Sequence, residues 1–163
     1  MKDKPLVVVS TSWDDGHPLD LKLADLLSEY GVNGTFYVAP FNKERAVIGI
    51  SDLVAFSEHF EVGAHTLTHS DLRFLDDEQL ENEITGSKSE LENLLGTSVQ
   101  MFCYPGGNYN RRVLNTVAKA GFIGARSTKM FHVALGKNPW CMPTTVYCKP
   151  YPMWIWYRHC LKT

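Results

Sequence analysis

Two short runs in this sequence carry side chains suited to metal and acid–base chemistry: Ser12-Trp13-Asp14-Asp15-Gly16 and His65-Thr66-Leu67-Thr68-His69. Together they offer two adjacent carboxylates and a pair of imidazoles, donor types that hold a divalent cation and activate water on it. Asp14 and Asp15 repel one another, and a bound dication relieves that repulsion. One aspartate can then ligate while its neighbour reaches a water, which is the arrangement of metal-assisted hydrolysis. Neither run is specific alone. An isolated His-x-x-x-His pair is commonly solvated, and Asp-Asp-Gly suits any chain reversal.

The histidine spacing separates two geometries. On a strand, residues four apart share a face but stand about 13 Å apart, at roughly 3.3 Å per residue. One ion cannot bridge that distance with bonds of about 2.0–2.1 Å. On a helical turn, Cβ atoms four apart are about 5–6 Å from one another and both rings can converge. A shared metal therefore requires the chain to coil directly after Ala64, and Gly63 with the polar residues Thr66, Thr68, Ser70 and Asp71 suits such a change of direction. The two aspartates likewise reach one site only if their strand has ended before them, and Gly16 supplies the freedom to turn.

The elements that must position these groups alternate. Leu6–Ser10 reads as a buried strand, and Leu19, Leu23, Leu26, Leu27 and Tyr30 fall on one helical face that stops at Gly31. Thr35–Ala39 is a second strand, Ser51 caps a helix carrying Leu53, Val54 and Phe60, and Glu61–Ala64 leads into the histidines as a third. Asp76 with Gln79 forms a capping box for a helix carrying Leu80, Ile84 and Leu91, interrupted at Gly86 and ended by Gly96. Val99–Cys103 is a fourth strand, followed by Tyr104-Pro105-Gly106-Gly107 and a helix capped by Asn110. Phe122–Arg126 makes a fifth strand and Thr144–Tyr147 a sixth. Such alternation points to a parallel sheet, either open and doubly wound or closing into a barrel. Both place reactive groups at the C-terminal ends of strands, where these motifs stand.

The bulk properties narrow the field. The 163 residues are read as one domain, 1–163, of ordinary globular composition, with 44% apolar residues and a formal charge of −2. That charge gives no reason to expect nucleic acid or an anionic membrane as partner. No apolar run approaches the roughly 20 residues of a membrane span, and Leu6–Val9 is too short for a signal-peptide core, so a cytoplasmic protein is expected. Cys103, Cys141, Cys148 and Cys160 form no C-x-x-C pair and read as free thiols.

From Val7 to Arg126 the chain resembles the polysaccharide deacetylases, carbohydrate esterase family 4. Ser12–Gly16 is similar to the family's Thr-Phe-Asp-Asp-Gly, His65–His69 to its His-(Ser/Thr)-x-x-His, and Cys103–Gly107 to its Arg-x-Pro-x-Gly. The resemblance implies an α/β fold: a distorted, incomplete (β/α) barrel of about six or seven parallel strands. It implies a divalent metal, zinc or else cobalt or nickel, held by Asp15, His65 and His69, with Asp14 as general base. Tyr104, Pro105 and Gly106 would meet the substrate, Gly106 through its backbone N–H. The implied activity is removal of acetyl groups from an N- or O-acetylated carbohydrate. Cys103 stands where the family has an arginine that orients the base, and Arg126 on the next strand is the candidate replacement. The family's last motif, with its proton-donating histidine, has no clear counterpart; His17 is the candidate donor and His159 a nominal one. The alternative is a degenerate domain that binds metal and ligand, or a protein partner, without turnover. A homodimer would cover the open barrel edge, and Tyr151, Trp154, Trp156 and Tyr157 are expected in core or interface packing.

Overall fold

The computed structural model describes residues 9–130, 132 and 136–147; His159, Cys148, Cys160 and the aromatic tail lie outside the described residues. Five parallel strands, β1 (Thr11–Trp13), β2 (Gly34–Val38), β3 (Glu61–Ala64), β4 (Met101–Cys103) and β5 (Gly124–Arg126), pair in the order of the chain. Between them run α1 (Asp20–Glu29), α2 (Ile50–Ser57), α3 (Asp77–Glu81), α4 (Ser87–Leu95) and α5 (Arg111–Lys119). A doubly wound sheet reverses its strand order at a switch point. Here the order never reverses, and the sheet curls as an arc of a (β/α) barrel. The helices pack in series along one side of it, α1 on α2 and α2 on α4.

Local chemistry sets the element ends. Asp76 and Gln79 cap α3 reciprocally, and the Asn110 side chain accepts from the Val113 N–H at 3.0 Å to open α5. Gly96 terminates α4 in the left-handed region at φ 66°. Gly86 does not break the third crossover helix. The chain passes from α3 to α4 through a π turn at Asn82–Gly86 with helical dihedrals at both ends.

Strand alternation divides the sheet into two faces. Phe36, Val38, Val62, Ala64, Phe102 and Ala125 point to the helices and join Leu27, Phe56, Leu80, Ile84, Leu91, Val113 and Val117 in one core. Phe36 meets Phe56 edge-on with centroids 4.5 Å apart, a geometry aromatic quadrupoles favour. Burying each such ring contributes roughly 1.5–3 kcal/mol. The intervening residues Tyr37, Gly63, Cys103 and Arg126 face the concave side. Gly63 is required there because a Cβ would come within 2.5 Å of the Tyr37 ring. Its role is this close approach, not the change of direction expected for it.

Three expectations are corrected. Strand β1 pairs at Thr11–Trp13, so the first motif begins inside the strand; Leu6–Val8 lie outside the described residues. Gly49, not Ser51, is the N-cap of α2. The described residues hold five strands, not six or seven, because Thr144–Tyr147 does not join the sheet. Met142 makes a single parallel bridge to Arg126; beyond it the Thr144 N–H donates to the Lys129 carbonyl and only the Thr144 hydroxyl reaches the Ser127 carbonyl, so the ladder does not continue.

Candidate metal centre

The last rung of β1 is Trp13, and Asp14, Asp15 and Gly16 turn away beyond it. Asp15 (φ 82°) and Gly16 (φ 66°) are both left-handed. A Cβ at Gly16 would stand 2.8 Å from Val38 Cγ1, so glycine is needed for both space and conformation. The turn brings both carboxylates to one end of the sheet. After β3 the chain makes a comparable excursion, with Thr66 at φ 66° and His69 at φ 65°. The His69 N–H donates to Thr66 Oγ1 at 3.0 Å. Left-handed bends, rather than a helical turn, converge the rings, whose centroids lie 5.0 Å apart.

Asp15, His65 and His69 meet at this end. Asp15 Oδ1 lies 3.7 Å from His65 Nε2 and 3.2 Å from His69 Nε2. All three ligand atoms lie within 4.8 Å of one another. Two ligands bound tetrahedrally to one zinc-sized ion stand about 3.4 Å apart. These donors therefore fit a shared cation.

The protonation pattern agrees. His65 is buried, 1% exposed, and its Nδ1–H donates to the Cys103 carbonyl at 2.8 Å, which leaves the Nε2 lone pair facing Asp15. Burial pushes its pKa down, against the opposing pull of Asp14 and the Cys103 carbonyl. His69 Nδ1 lies 3.0 Å from Glu44 Oε2. Its pKa is raised, first by the Asp15 carboxylate, against the opposing effect of burial, and further by Glu44. The hydrogen bond to His69 holds Asp15 below the usual carboxylate range, with support from His65 and Arg45. Arg45 Nη1 lies 3.0 Å from Asp15 Oδ2.

Asp14 is held from the far end of the sheet. Arg126 Nη2 donates to Asp14 Oδ1, and the same nitrogen lies 3.2 Å from Cys103 Sγ. The Arg126 guanidinium also sits over the Tyr37 ring, 5.3 Å from its centroid. Burial opposes its charge, but Cys103 and Asp14 more than offset this and raise its pKa. Cys103 and Arg126 are register partners on adjacent strands. An arginine on either strand therefore begins about 4.8 Å from its alternative position.

The remaining candidates divide. Gly106, at φ 59°, forms the tip of the loop after β4, and Gly107 is pressed on Thr128, whose Oγ1 would lie 1.8 Å from a Cβ. The Tyr104 side chain does not face the site. It is buried against Phe102 and Tyr109, and its hydroxyl donates to the Trp140 carbonyl at 2.7 Å. Pro105 is buried within the same turn. His17 sits in the turn before α1 and accepts from the Leu19 N–H through Nδ1 at 3.1 Å. It is not one of the three grouped donors.

Sequence reasoning missed Glu44, Arg45 and Glu83. The first two lie on the β2–α2 loop, where Asn42 Oδ1 accepts from both of their N–H groups at 2.9 and 3.1 Å. The signal for Glu83 was a carboxylate on the buried Leu80–Ile84 side of a helix.

Comparison with known proteins supplies the family context. Residues 2–125 match the family described as Polysaccharide deacetylase. Among curated proteins, the chain is 25% identical over 117 residues to the putative polysaccharide deacetylase YxkH of Bacillus subtilis, covering 70% of this chain and 42% of that protein. It is 22% identical over 152 residues to the uncharacterized protein YlxY of the same organism, covering 92% of this chain and 42% of that protein. The chain thus spans under half the length of these relatives. Among solved structures, the Streptococcus pyogenes deacetylase PplD in complex with acetate superposes with a TM-score of 0.74 at 19% identity, over 82% of this chain and 62% of that one. A BA3943 mutant, described as a CE4 family pseudoenzyme, superposes with a TM-score of 0.59 at 16% identity, over 72% and 43%.

Proposed function

Because this chain belongs to the polysaccharide deacetylase family, we propose that it is a metal-dependent hydrolase that removes acetyl groups from an N- or O-acetylated carbohydrate. The carrying observation is the position of Asp15 Oδ1, 3.7 and 3.2 Å from two imidazole Nε2 atoms, beside an Asp14 paired with Arg126. Asp15, His65 and His69 would hold a dication of the zinc type, with cobalt or nickel able to substitute. Such an ion supplies a nucleophilic water near neutral pH and a Lewis acid for the acyl oxygen.

The chain's own groups perform the rest. Asp14 accepts the proton of the attacking water, and Arg126 fixes the direction of its carboxylate. The Gly106 N–H donates to the oxygen that gains charge as the carbonyl becomes tetrahedral, a contact type worth about 2.7–4 kcal/mol. The proton that Asp14 takes from water passes on to the departing amine or alkoxide; His17, whose Nδ1 accepts the Leu19 N–H and so carries no proton there, has none to spare in this arrangement.

A second reading, a domain that binds ligand without turnover, draws support from the pseudoenzyme among the solved structures. Fold alone does not guarantee activity. One experiment separates the two: zinc-loaded protein is incubated with acetylated chitooligosaccharides and acetate release is measured. The enzyme reading expects release that falls about 10²–10⁴-fold in Asp14→Asn, with zinc content unchanged. Zinc bound at one equivalent with no release across acetylated substrates overturns it.

A further inference from the structure

We infer that Glu83 is a positioning residue for the metal centre: its buried carboxylate holds the His65–His69 loop in the shape that directs both imidazoles onto one cation. The inference rests on the metal-centre reading proposed above. It starts from a local difficulty. Left-handed backbone at Thr66 and His69 is unfavourable, and for a β-branched threonine it is a true outlier. Such a loop persists only where its surroundings over-determine it.

Glu83 supplies that constraint from inside the fold. Its Oε2 accepts from the Leu67 N–H at 3.0 Å and the Thr68 N–H at 2.9 Å, while Oε1 accepts from Thr68 Oγ1 at 2.5 Å. Its main-chain carbonyl also accepts from the Leu67 N–H, at 3.0 Å. Glu83 lies in the π turn, where the Ser87 N–H donates to Ile84 instead of to this carbonyl. A helix of regular pitch would use it internally.

The opposite side of the loop is also held. The Phe41 N–H donates to the Leu67 carbonyl at 2.9 Å, and the Lys43 N–H to the Thr68 carbonyl at 3.4 Å. Leu67 and Thr68, midway between the two histidines, are therefore fixed through N–H groups by Glu83 and through carbonyls by the β2–α2 loop. A carboxylate is suited to the inner side because it accepts on both oxygens. Glutamine keeps one acceptor and turns an NH2 against donors. Glu83 touches neither ligand directly, so its action runs through the loop.

The test measures zinc affinity by competition with a chromophoric chelator, alongside cooperative thermal melting of the metal-free protein. Glu83→Gln is expected to weaken zinc binding about 10–100-fold, as loss of an outer hydrogen-bonding partner does, and to lower kcat more than it raises KM. Thr68→Val, which removes the hydroxyl that donates to Glu83 and pairs with Ser70 while leaving both backbone bonds to the carboxylate, is expected to weaken it about threefold. A cooperatively melting Glu83→Gln with unchanged zinc affinity overturns the inference, whatever its melting temperature. If Glu83→Gln does not melt cooperatively, Thr68→Val decides: weaker zinc binding supports the inference and unchanged binding overturns it. Wild-type protein that takes up no zinc instead overturns the metal-centre reading, and this inference with it.

Discussion

The loops after β1 and β3 hold their functional groups by backbone conformation, whereas β4 and β5 hold theirs by side-chain reach. In the first region Asp15, Thr66 and His69 all occupy left-handed dihedrals, and Gly16 has no room for a Cβ. Each donor is correct only if a short, unfavourable stretch of chain is correct. In the second region Arg126 leaves an ordinary strand and spans the concave face to Asp14, with Cys103 in the register position beside it. A long side chain with five donors can start from either of two neighbouring strands and finish in the same place. Ligands fixed by backbone therefore tolerate little change, whereas a charge delivered by a long side chain can change strand.

Three experiments break or sharpen this contrast. The largest effect is expected from Asp15→Asn, which keeps the left-handed backbone because asparagine tolerates it, yet removes the charge proposed to ligate. Zinc content measured by mass spectrometry should fall to background, together with acetate release. A variant retaining full zinc would show that the first region does not depend on this group. Next, Arg126→Met should lower kcat/KM about 10–100-fold with zinc content unchanged. Adding Cys103→Arg should recover part of that loss, since the new guanidinium starts from the adjacent rung. No recovery would mean that β5 is the only strand from which Asp14 can be held.

The smallest effect is one of pH. In metal-free protein His69 holds its proton more tightly than a free imidazole, chiefly through Asp15. Zinc must displace that proton, so affinity should fall about tenfold per pH unit below the raised His69 value and level off above it. The sign for the metal-free fold is opposite. The stabilisation from protonated His69 is complete below the ordinary imidazole range and is lost as pH rises through the raised value. Titrations of zinc affinity and of melting temperature should therefore slope in opposite directions across the same interval.

Much of this was legible in the sequence, and the exceptions have physical causes. Glu61–Ala64, the Asp76–Gln79 box and the Asn110 cap depend on local patterns and appear where the residues indicate. Where β1 pairs was not local: its register with Gly34–Phe36 moves the strand onto Thr11–Trp13. Thr144–Tyr147 has a strand-like composition, but the Thr144 N–H goes to Lys129 instead of Ser127 and the ladder ends at Met142. In the site, residue types pointed to Asp15 and the two histidines, and the fold brings them together. Tyr104 was misjudged because alternation from Cys103 turns its ring toward the core. Glu83 stood out only as a carboxylate on the buried side of a helix, and Glu44 not at all, because neither position declares which distant N–H its carboxylate will meet.

The Asp14–Arg126 pair joins side chains 112 positions apart, from strands at opposite ends of the sheet. Every proposed ligand lies upstream of position 70, so a growing polypeptide releases the whole ligand set long before Arg126 leaves the ribosome. Until β5 docks, the Asp14 carboxylate lacks the guanidinium that donates to it. Synthesis would thus place the groups proposed to hold the ion ahead of the arginine proposed to aim the base, and the proposed centre is complete only once β5 pairs beside β4.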